Sequence, residues 1–502
     1  MLRDELKKEI AKITGLADVK ISEPERSEYG DFTTNAAFRH GNADEIARAL
    51  RKNSLVEKVE VKNKFINIFL KDEAILKELD AKISFPKKKE KFSVEYLDAN
   101  PTGPVHLGHA RSGFYGDALS KVLTKLGYKV TREFYVNNAR ASLQIRSLGR
   151  TALGRGEEYR HEQLNRLLKN PKIQKQLEKI SDESEAGFLL AKFIHKENET
   201  LLKEKAKIVF DVFFEEESLY ESGAVKRVLG TMGERGVTHK KEGALWFRAS
   251  EYGDTEDRVL VRSTGEPTYL LPDIAYHLNR IEERKHDFLI NIFGADHHGY
   301  GTRLLGALRA IGVNTARISI MNVQIVRFME KGKEVKMSKR RGVFITLEEL
   351  LEEVGLNVCR WFFLERSLST HLDFNLDLAK ERSEKNPVYY VQYALVRMQS
   401  ILEKSAARNS KLQKEFGHKA ERDLAMKILR YPEILEDISR DYQAHRLTTY
   451  AYELAQTFSA FYRDVKVLGS KREGELLYLV ARAKETLADV LKLLGVSQPE
   501  KM

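Results

Sequence analysis

Apolar residues recur at helical spacing over Leu2, Leu6, Ile10 and Ile13, the signature of one buried helix face. The pattern then changes: Val56–Val61 and Phe65–Leu70 read as a pair of strands, with the loop Ser27–Phe32 lying earlier between helical segments. Phe92, Val94 and Tyr96 alternate as in a strand. Tyr115, Ala118, Leu119, Val122 and Leu126 then follow helical spacing, closed by Gly127, and residues 128–134 alternate again. Strand, turn, helix and strand over this length make half of a doubly wound nucleotide-binding sheet. From about 150 to 250 the chain is rich in Lys, Glu and Leu at helical spacing, which predicts a helical insertion between the two halves of the sheet. The second half is expected to resume at Arg258–Arg262 and to include the buried strand Phe288–Phe293. Thr346-Leu347-Glu348-Glu349 opens a helix with a capping box, and Gly355 stops it. Beyond about 386 only long amphipathic helices are predicted.

These patterns predict an α+β domain in 1–85 and a Rossmann-like α/β domain in 91–385, with its insertion at about 150–255. An all-α bundle in 386–502 completes the chain, and the charged run Pro86–Lys91 marks the first boundary. The chain carries 85 Lys and Arg against 74 Asp and Glu, a net charge of +11. That excess fits an RNA-binding enzyme, a solvated basic surface being the alternative. A single cysteine, Cys359, excludes an internal disulfide and a multi-cysteine zinc site; its neighbours Val358, Trp361 and Phe362 predict a core position. No apolar run is long enough to span a membrane, and the N-terminus carries Asp4 and Glu5 where a signal core would be apolar. The expected compartment is the cytoplasm.

Two segments carry chemistry. Residues 98–111 read Asp-Ala-Asn-Pro-Thr-Gly-Pro-Val-His-Leu-Gly-His-Ala-Arg, and Lys336-Met337-Ser338-Lys339-Arg340 lies downstream. The first spans a strand–turn–helix unit whose helix N-terminus offers free N–H groups to an anion. His106 and His109 sit at that turn, within reach of phosphate oxygens, and Gly108 lets a flat base approach the backbone. Lys336 and Lys339, on a polar loop, either supply ammonium groups to phosphates or form a basic surface turn. Tyr269 and Asp273 lie four apart, on one face if helical, though Asp273 could instead cap a helix after Pro272. Glu95 falls within a strand, where an acid needs a partner: a structural salt bridge or a ligand. Asp296, His297 and His298 do not make a metal site, because adjacent strand residues point to opposite faces. Tyr390, Tyr393 and Tyr462 can stack on splayed bases or fill a bundle core. Asn67, on an edge-like strand, either bonds a base or is an ordinary polar residue near a turn.

Together and in this order, the two segments resemble the ATP-handling signatures of class I aminoacyl-tRNA synthetases, and the whole chain resembles arginyl-tRNA synthetases. Tyr269–Tyr276, Gly294–Tyr300, Leu372–Phe374 and Asn386–Ala394 also carry that resemblance. It implies activation of arginine by ATP with Mg2+, without a structural metal, and transfer to the 2′-hydroxyl of the terminal tRNA adenosine. Pro104, His106, Gly108, His109, Met337, Ser338 and Lys339 would then hold ATP, with His106, His109, Lys336 and Lys339 catalytic. Glu95, Tyr269 and Asp273 would take the guanidinium, Asn100 and His297 the α-amino group. The N-terminal domain, with Gly30-Asp31-Phe32 and Phe65-Ile66-Asn67, is similar to one that contacts the tRNA D-loop. Tyr390, Tyr393, Tyr462 and Met502 would bind tRNA from an anticodon-binding domain. A monomer requiring bound tRNA for activation is the family expectation. One departure is Asn137-Asn138-Ala139-Arg140-Ala141-Ser142-Leu143-Gln144, where bacterial members usually read Asn-Asp-Ala-Gly followed by Gln. The rival readings are a non-catalytic RNA-binding paralogue, which loss of His109, Lys339 or Asp273 would favour, and a small-molecule nucleotidyltransferase, which the two flanking domains disfavour.

Overall fold

The computed structural model describes the whole chain except residues 82, 98, 295–298, 336–337, 340–342, 345 and 406–414. The chain divides into two compact units. One comprises Phe85–Glu381 with Gln443–His445, the other Met1–Ser84 with Arg382–Tyr442 and Arg446–Met502.

The first unit is built on a five-stranded parallel sheet. Its strands and adjoining helices, numbered within this unit, are β1 (Lys91–Glu95), α1 (Leu107–Lys125), β2 (Lys129–Val136), β3 (Val212–Glu215), α2 (Leu270–Leu278), β4 (Phe288–Phe293), α3 (Tyr300–Ala310) and β5 (Ile318–Asn322). The order across the sheet is β5-β4-β1-β2-β3, with every neighbouring pair parallel. This is doubly wound topology, and its winding reverses between β1 and β4. Ligands bind such sheets outside the carboxyl ends of the strands at that reversal, where Glu95 ends β1.

The predicted helical insertion needs correcting in two places. Helices Glu162–Leu168, Pro171–Leu177 and Glu183–Glu204 lie within the expected stretch. However, Val212–Glu215 lies in the stretch assigned to the insertion and forms the edge strand of the main sheet. A four-residue, half-buried strand leaves little periodicity to read against its charged flanks. Arg258–Val261, expected to restart the parallel sheet, instead pairs antiparallel with Ala244–Phe247 in a separate three-stranded sheet. The two strand types cannot be separated by a short apolar run alone.

Beyond β5, Val326–Glu330 lies between Lys333–Glu334 and Leu372–Asn375 in a small sheet, and Ser338–Lys339 pairs antiparallel with Val343–Phe344. The expected capping box is present: Thr346 Oγ1 accepts the Glu349 N–H at 3.2 Å, and Glu349 Oε2 accepts the Thr346 N–H at 2.9 Å. Helix Leu347–Val354 ends at Gly355, whose φ of 81° explains the glycine.

In the second unit an antiparallel sheet runs Ile21–Ser22, Phe32–Thr34, Phe65–Leu70, Val56–Lys62. Its C-terminal part consists of the helices Pro387–Lys404, Lys419–Leu429, Tyr431–Asp441, Arg446–Asp464 and Glu473–Leu494. Arg422 grips Asp31 in bidentate fashion at 2.7 and 2.8 Å and reaches Asp72 at 2.9 Å; the Arg430 guanidinium lies 4.3 Å from the Phe32 ring centre. Asp31 and Phe32 thus join the N-terminal sheet to the helical bundle. The strand carrying Asn67 is interior, not at an edge: Phe32–Thr34 and Val56–Lys62 flank it on both sides. Asn67 is buried there, its Oδ1 accepting from Thr33 Oγ1 at 2.9 Å.

Candidate active site and RNA-binding surfaces

The turn between β1 and α1 places His106 at the helix N-cap, where Nδ1 accepts the Gly108 N–H at 3.1 Å. In the neutral imidazole the remaining proton is then on Nε2. The His106 and His109 rings lie 3.7 Å apart between centres, inclined at 36°. Burial, then the neighbouring His106, lowers His109 to about 3, so its imidazole is uncharged at neutral pH. A Cβ at position 108 would lie 2.8 Å from His106 Cε1. Gly108 therefore first makes room for the capping imidazole, a closer demand than the flat base expected from sequence.

The chain just downstream of the second signature returns to the same turn. Thr346 forms an antiparallel bridge with His106, and the Leu347 N–H donates to the Val105 carbonyl at 2.9 Å. The Ser338–Lys339 hairpin thus belongs to a segment that ends beside the histidines, although far from them in sequence. Lys336 and Met337 lie outside the described residues.

On the other side of the switch point, Tyr269 is the N-cap residue of α2 and Asp273 lies in its first turn, with no side-chain cap bond from Tyr269. Asp273 is not the cap. Tyr300, from α3, ties the two together: its hydroxyl donates to Asp273 Oδ2, and its ring meets that of Tyr269 edge-on at 5.2 Å. Arg303 Nη1 donates to the Tyr269 hydroxyl at 2.8 Å, while its Nε is held by Asp254 at 3.0 Å. Tyr300, Arg303 and Asp254 were not identified from sequence, because only the tertiary fold brings α3 and residue 254 to this turn.

Glu95 is buried, and its Oε2 accepts from Arg280 Nη1 at 3.1 Å. Arg280 is fully enclosed; its Nε donates to Ser93 Oγ at 2.8 Å and its Nη2 to the Ser93 carbonyl at 3.0 Å. Glu133 accepts from Tyr276 at 2.9 Å and from Arg284 at 2.8 Å. Burial alone would raise the Glu133 carboxyl, but Arg280 and Arg284 outweigh it and hold the group below its ordinary value. The structural salt bridge considered for Glu95 therefore exists, at the carboxyl end of the central strand. Asn100 is exposed on the loop after β1, and His297 lies outside the described residues.

The atypical loop after β2 is anchored by its own departure from the pattern. The Arg140 guanidinium binds Glu217 at 2.8 Å and Glu185 at 2.7 Å and lies 3.7 Å from the Phe188 ring centre, while the Asn138 Oδ1 accepts the Glu217 N–H at 3.2 Å.

In the helical bundle, Tyr393 and Tyr462 are exposed, and the Arg397 guanidinium lies 4.8 Å from one ring centre and 5.2 Å from the other. Tyr390 is half-buried, bonded to Ser459 at 3.2 Å, with its ring 5.2 Å from Tyr452. Met502 is exposed. In the N-terminal part, Phe38 of helix Ala36–His40 and Phe65 of the sheet are exposed, edge-on at 5.3 Å, with Lys64 over Phe38. Sequence reading quoted Phe65 only within a motif and missed Phe38 and Arg397; exposure is what singles out the aromatics.

Three family descriptions match the chain: "Arginyl tRNA synthetase N terminal domain" over residues 1–70, "tRNA synthetases class I (R), catalytic domain" over 73–144 and 155–366, and "DALR anticodon binding domain" over 391–502. The chain is 37% identical over 554 residues to arginine–tRNA ligase 1 of Halalkalibacterium halodurans, covering 100% of this chain and 99% of that one. It is also 37% identical over 538 residues to arginine–tRNA ligase of Staphylococcus carnosus, covering 98% and 97%. The solved structure of Thermus thermophilus arginyl-tRNA synthetase superposes with a TM-score of 0.83 over 100% of both chains at 21% identity, a likeness of fold.

Proposed function

The chain belongs to the arginyl-tRNA synthetase family and is an arginine–tRNA ligase; on that premise we propose how its residues divide the work. The arginine α-carboxylate attacks the α-phosphorus of ATP in line, the bond to pyrophosphate breaks, and arginyl adenylate remains bound. The 2′-hydroxyl of the terminal tRNA adenosine then attacks the arginyl carbonyl and releases AMP.

Both activation substrates are anionic where they meet, so alignment and charge neutralisation dominate. Pro104 and Gly108 shape the turn that receives ATP. His106 and His109 donate to its phosphates, while Lys336 and Lys339 bring positive charge, with Met337 and Ser338 completing the lysine segment. Magnesium enters on the ATP phosphates. Glu95, Tyr269 and Asp273 receive the guanidinium, whose planar fork suits carboxylates better than a lysine ammonium does; Asn100 and His297 hold the α-amino group. Tyr390, Tyr393, Tyr462 and Met502 contact the anticodon. Asn67 supports the sheet beneath a D-loop contact, with Phe38 and Phe65 offering the stacking faces. The enzyme works as a cytoplasmic monomer.

The observation that supports this division best is the bridge between His106 and Thr346, which brings the chain just downstream of the lysine segment to the histidine turn. ATP–pyrophosphate exchange tests the reading: exchange should require arginine and appear only with tRNA present. Exchange supported equally by other amino acids would overturn it.

A further inference from the structure

Two acids assigned to the arginine side chain stand on separate elements: Glu95 at the end of β1 and Asp273 in the first turn of α2. Their spacing decides which side chain fits between them. A chain of hydrogen bonds, buried except at its last link, runs from the Glu95 carboxylate to the backbone carbonyl of Asp273. Arg280 Nη1 donates to both Glu95 Oε2 and Asn291 Oδ1. Asn291 Nδ2 lies 3.0 Å from His277 Nε2, and His277 Nδ1 lies 2.8 Å from the Asp273 carbonyl oxygen.

The direction of every link is set at the ends. A guanidinium only donates, so Asn291 presents its oxygen to Arg280 and its amide N–H to His277. A carbonyl only accepts, so His277 carries its proton on Nδ1 and accepts at Nε2. A charged imidazole would set two donors against each other at Asn291. Burial, then the charge of Arg280, pushes His277 down to about 3 and keeps it neutral.

The backbone supports the same arrangement. Asn291, Glu95 and Glu133 are register partners on three adjacent strands, forming a polar rung through the sheet. After α2 the helix widens into a π-turn over Asn279–Glu283, the segment that carries Arg280; such turns recur at functional sites. Arg280, Asn291 and His277 are all buried, and Arg280 is held further by Ser93 Oγ at 2.8 Å and by Glu133 at 3.9 Å.

We infer that Arg280, Asn291 and His277 form a positioning relay that sets the separation of Glu95 and Asp273 and so tunes selection of the arginine side chain by length. This rests on the assignment of Glu95 and Asp273 to the guanidinium. None of the three touches substrate; they are positioning residues.

The test uses the full-length enzyme with tRNA present, measuring ATP–pyrophosphate exchange with L-arginine and with L-homoarginine, which carries the same head one methylene further out. Asn291→Leu and His277→Phe break the relay at two points; Glu95→Gln and Asp273→Asn report on the pocket itself. A methylene is ordinarily discriminated by roughly tenfold or more. The relay variants are expected to raise the arginine KM about tenfold and to shrink the preference for arginine over homoarginine by a similar factor. The ATP KM should stay near the parent value, while the thermal midpoint falls modestly as buried groups lose a partner. If the carboxylate variants raise the arginine KM while both relay variants keep the parent KM and preference, the relay is overturned and the pocket stands. If the carboxylate variants leave the arginine KM unchanged, the pocket assignment fails, and the relay with it. A rise of both KM values together marks a merely structural role and also overturns the inference. Should one relay variant fail to fold, the other decides; should both fail, Arg280→Lys, which keeps the charge but loses the fork, is judged by the same criteria.

Discussion

At the scale of single residues, the environment determines what each acid can do. Asp273 is partly buried, bonded by Tyr300 and placed beside Tyr269. Losing a hydrogen bond to a charged group costs about 2 kcal/mol, roughly thirtyfold in binding. Asp273→Asn should therefore raise the arginine KM by that order and leave the ATP KM nearly intact; steady-state exchange kinetics decide, and an unchanged arginine KM removes Asp273 from the pocket. Glu365 illustrates the opposite balance. Burial raises its carboxyl to about 7 against the pull of Arg366 and Arg111. Its folded pKa lies above the unfolded value, so its contribution to stability is fully present below about 4.5 and is lost as pH rises through about 7. Glu365→Gln, uncharged throughout, should gain thermal midpoint relative to the parent at about pH 8 more than at about pH 5. Midpoints across that range check this, and parallel curves would sink it.

At the scale of elements, the sequence was most legible where local signals agree. The capping box at Thr346 and the stop at Gly355 lie where the pattern placed them, because caps depend on neighbours a few residues apart. Strands Val56–Lys62, Phe65–Leu70, β1, β2 and β4 were readable as well, as runs bounded by clear breaks. Val212–Glu215 and Arg258–Val261 were misassigned because partner choice, not periodicity, separates a parallel edge strand from an antiparallel one. The lysine segment works at this scale too. Its hairpin leads into the Thr346 bridge, so Lys339→Ala should slow activation by about two orders of magnitude as a transition-state contact is lost. Arginine binding should barely change. Single-turnover adenylate formation measures this, and a near-normal rate would demote the segment to a surface turn.

At the scale of the whole molecule, the second unit unites the N-terminal sheet with the helical bundle through Arg422, Asp31 and Asp72. Its exposed aromatics suit stacking against bases, which is worth about 1–3 kcal/mol each. The C-terminal tail is anchored by Gln392, which donates to the Ser497 carbonyl at 2.9 Å, while residues beyond it are mostly exposed. Deleting the last four residues should therefore weaken tRNA binding, slow tRNA-dependent activation and leave the thermal midpoint almost unchanged. Comparing tRNA Kd and midpoint for the two proteins checks this; a collapsed midpoint, or untouched affinity, would make the tail a structural clasp.

By itself the sequence determined the class of fold, because periodicity and breaks depend on residue type and short spacing; the residues proposed for ATP and for arginine came from the resemblance its motifs carry. Asp273 and Tyr269, four apart, were expected on one face if helical; Asp273 lies in the first turn of α2 and Tyr269 at its N-cap. Tertiary structure decided which residues accompany them. Arg280, Asn291, His277, Tyr300 and Arg303 acquire their roles through hydrogen bonds between strands and helices well separated in sequence. It also decided that Asn67 lies in an interior strand and that Asp31 faces Arg422. Periodicity reports which side of an element is buried; it carries no record of what that side is buried against.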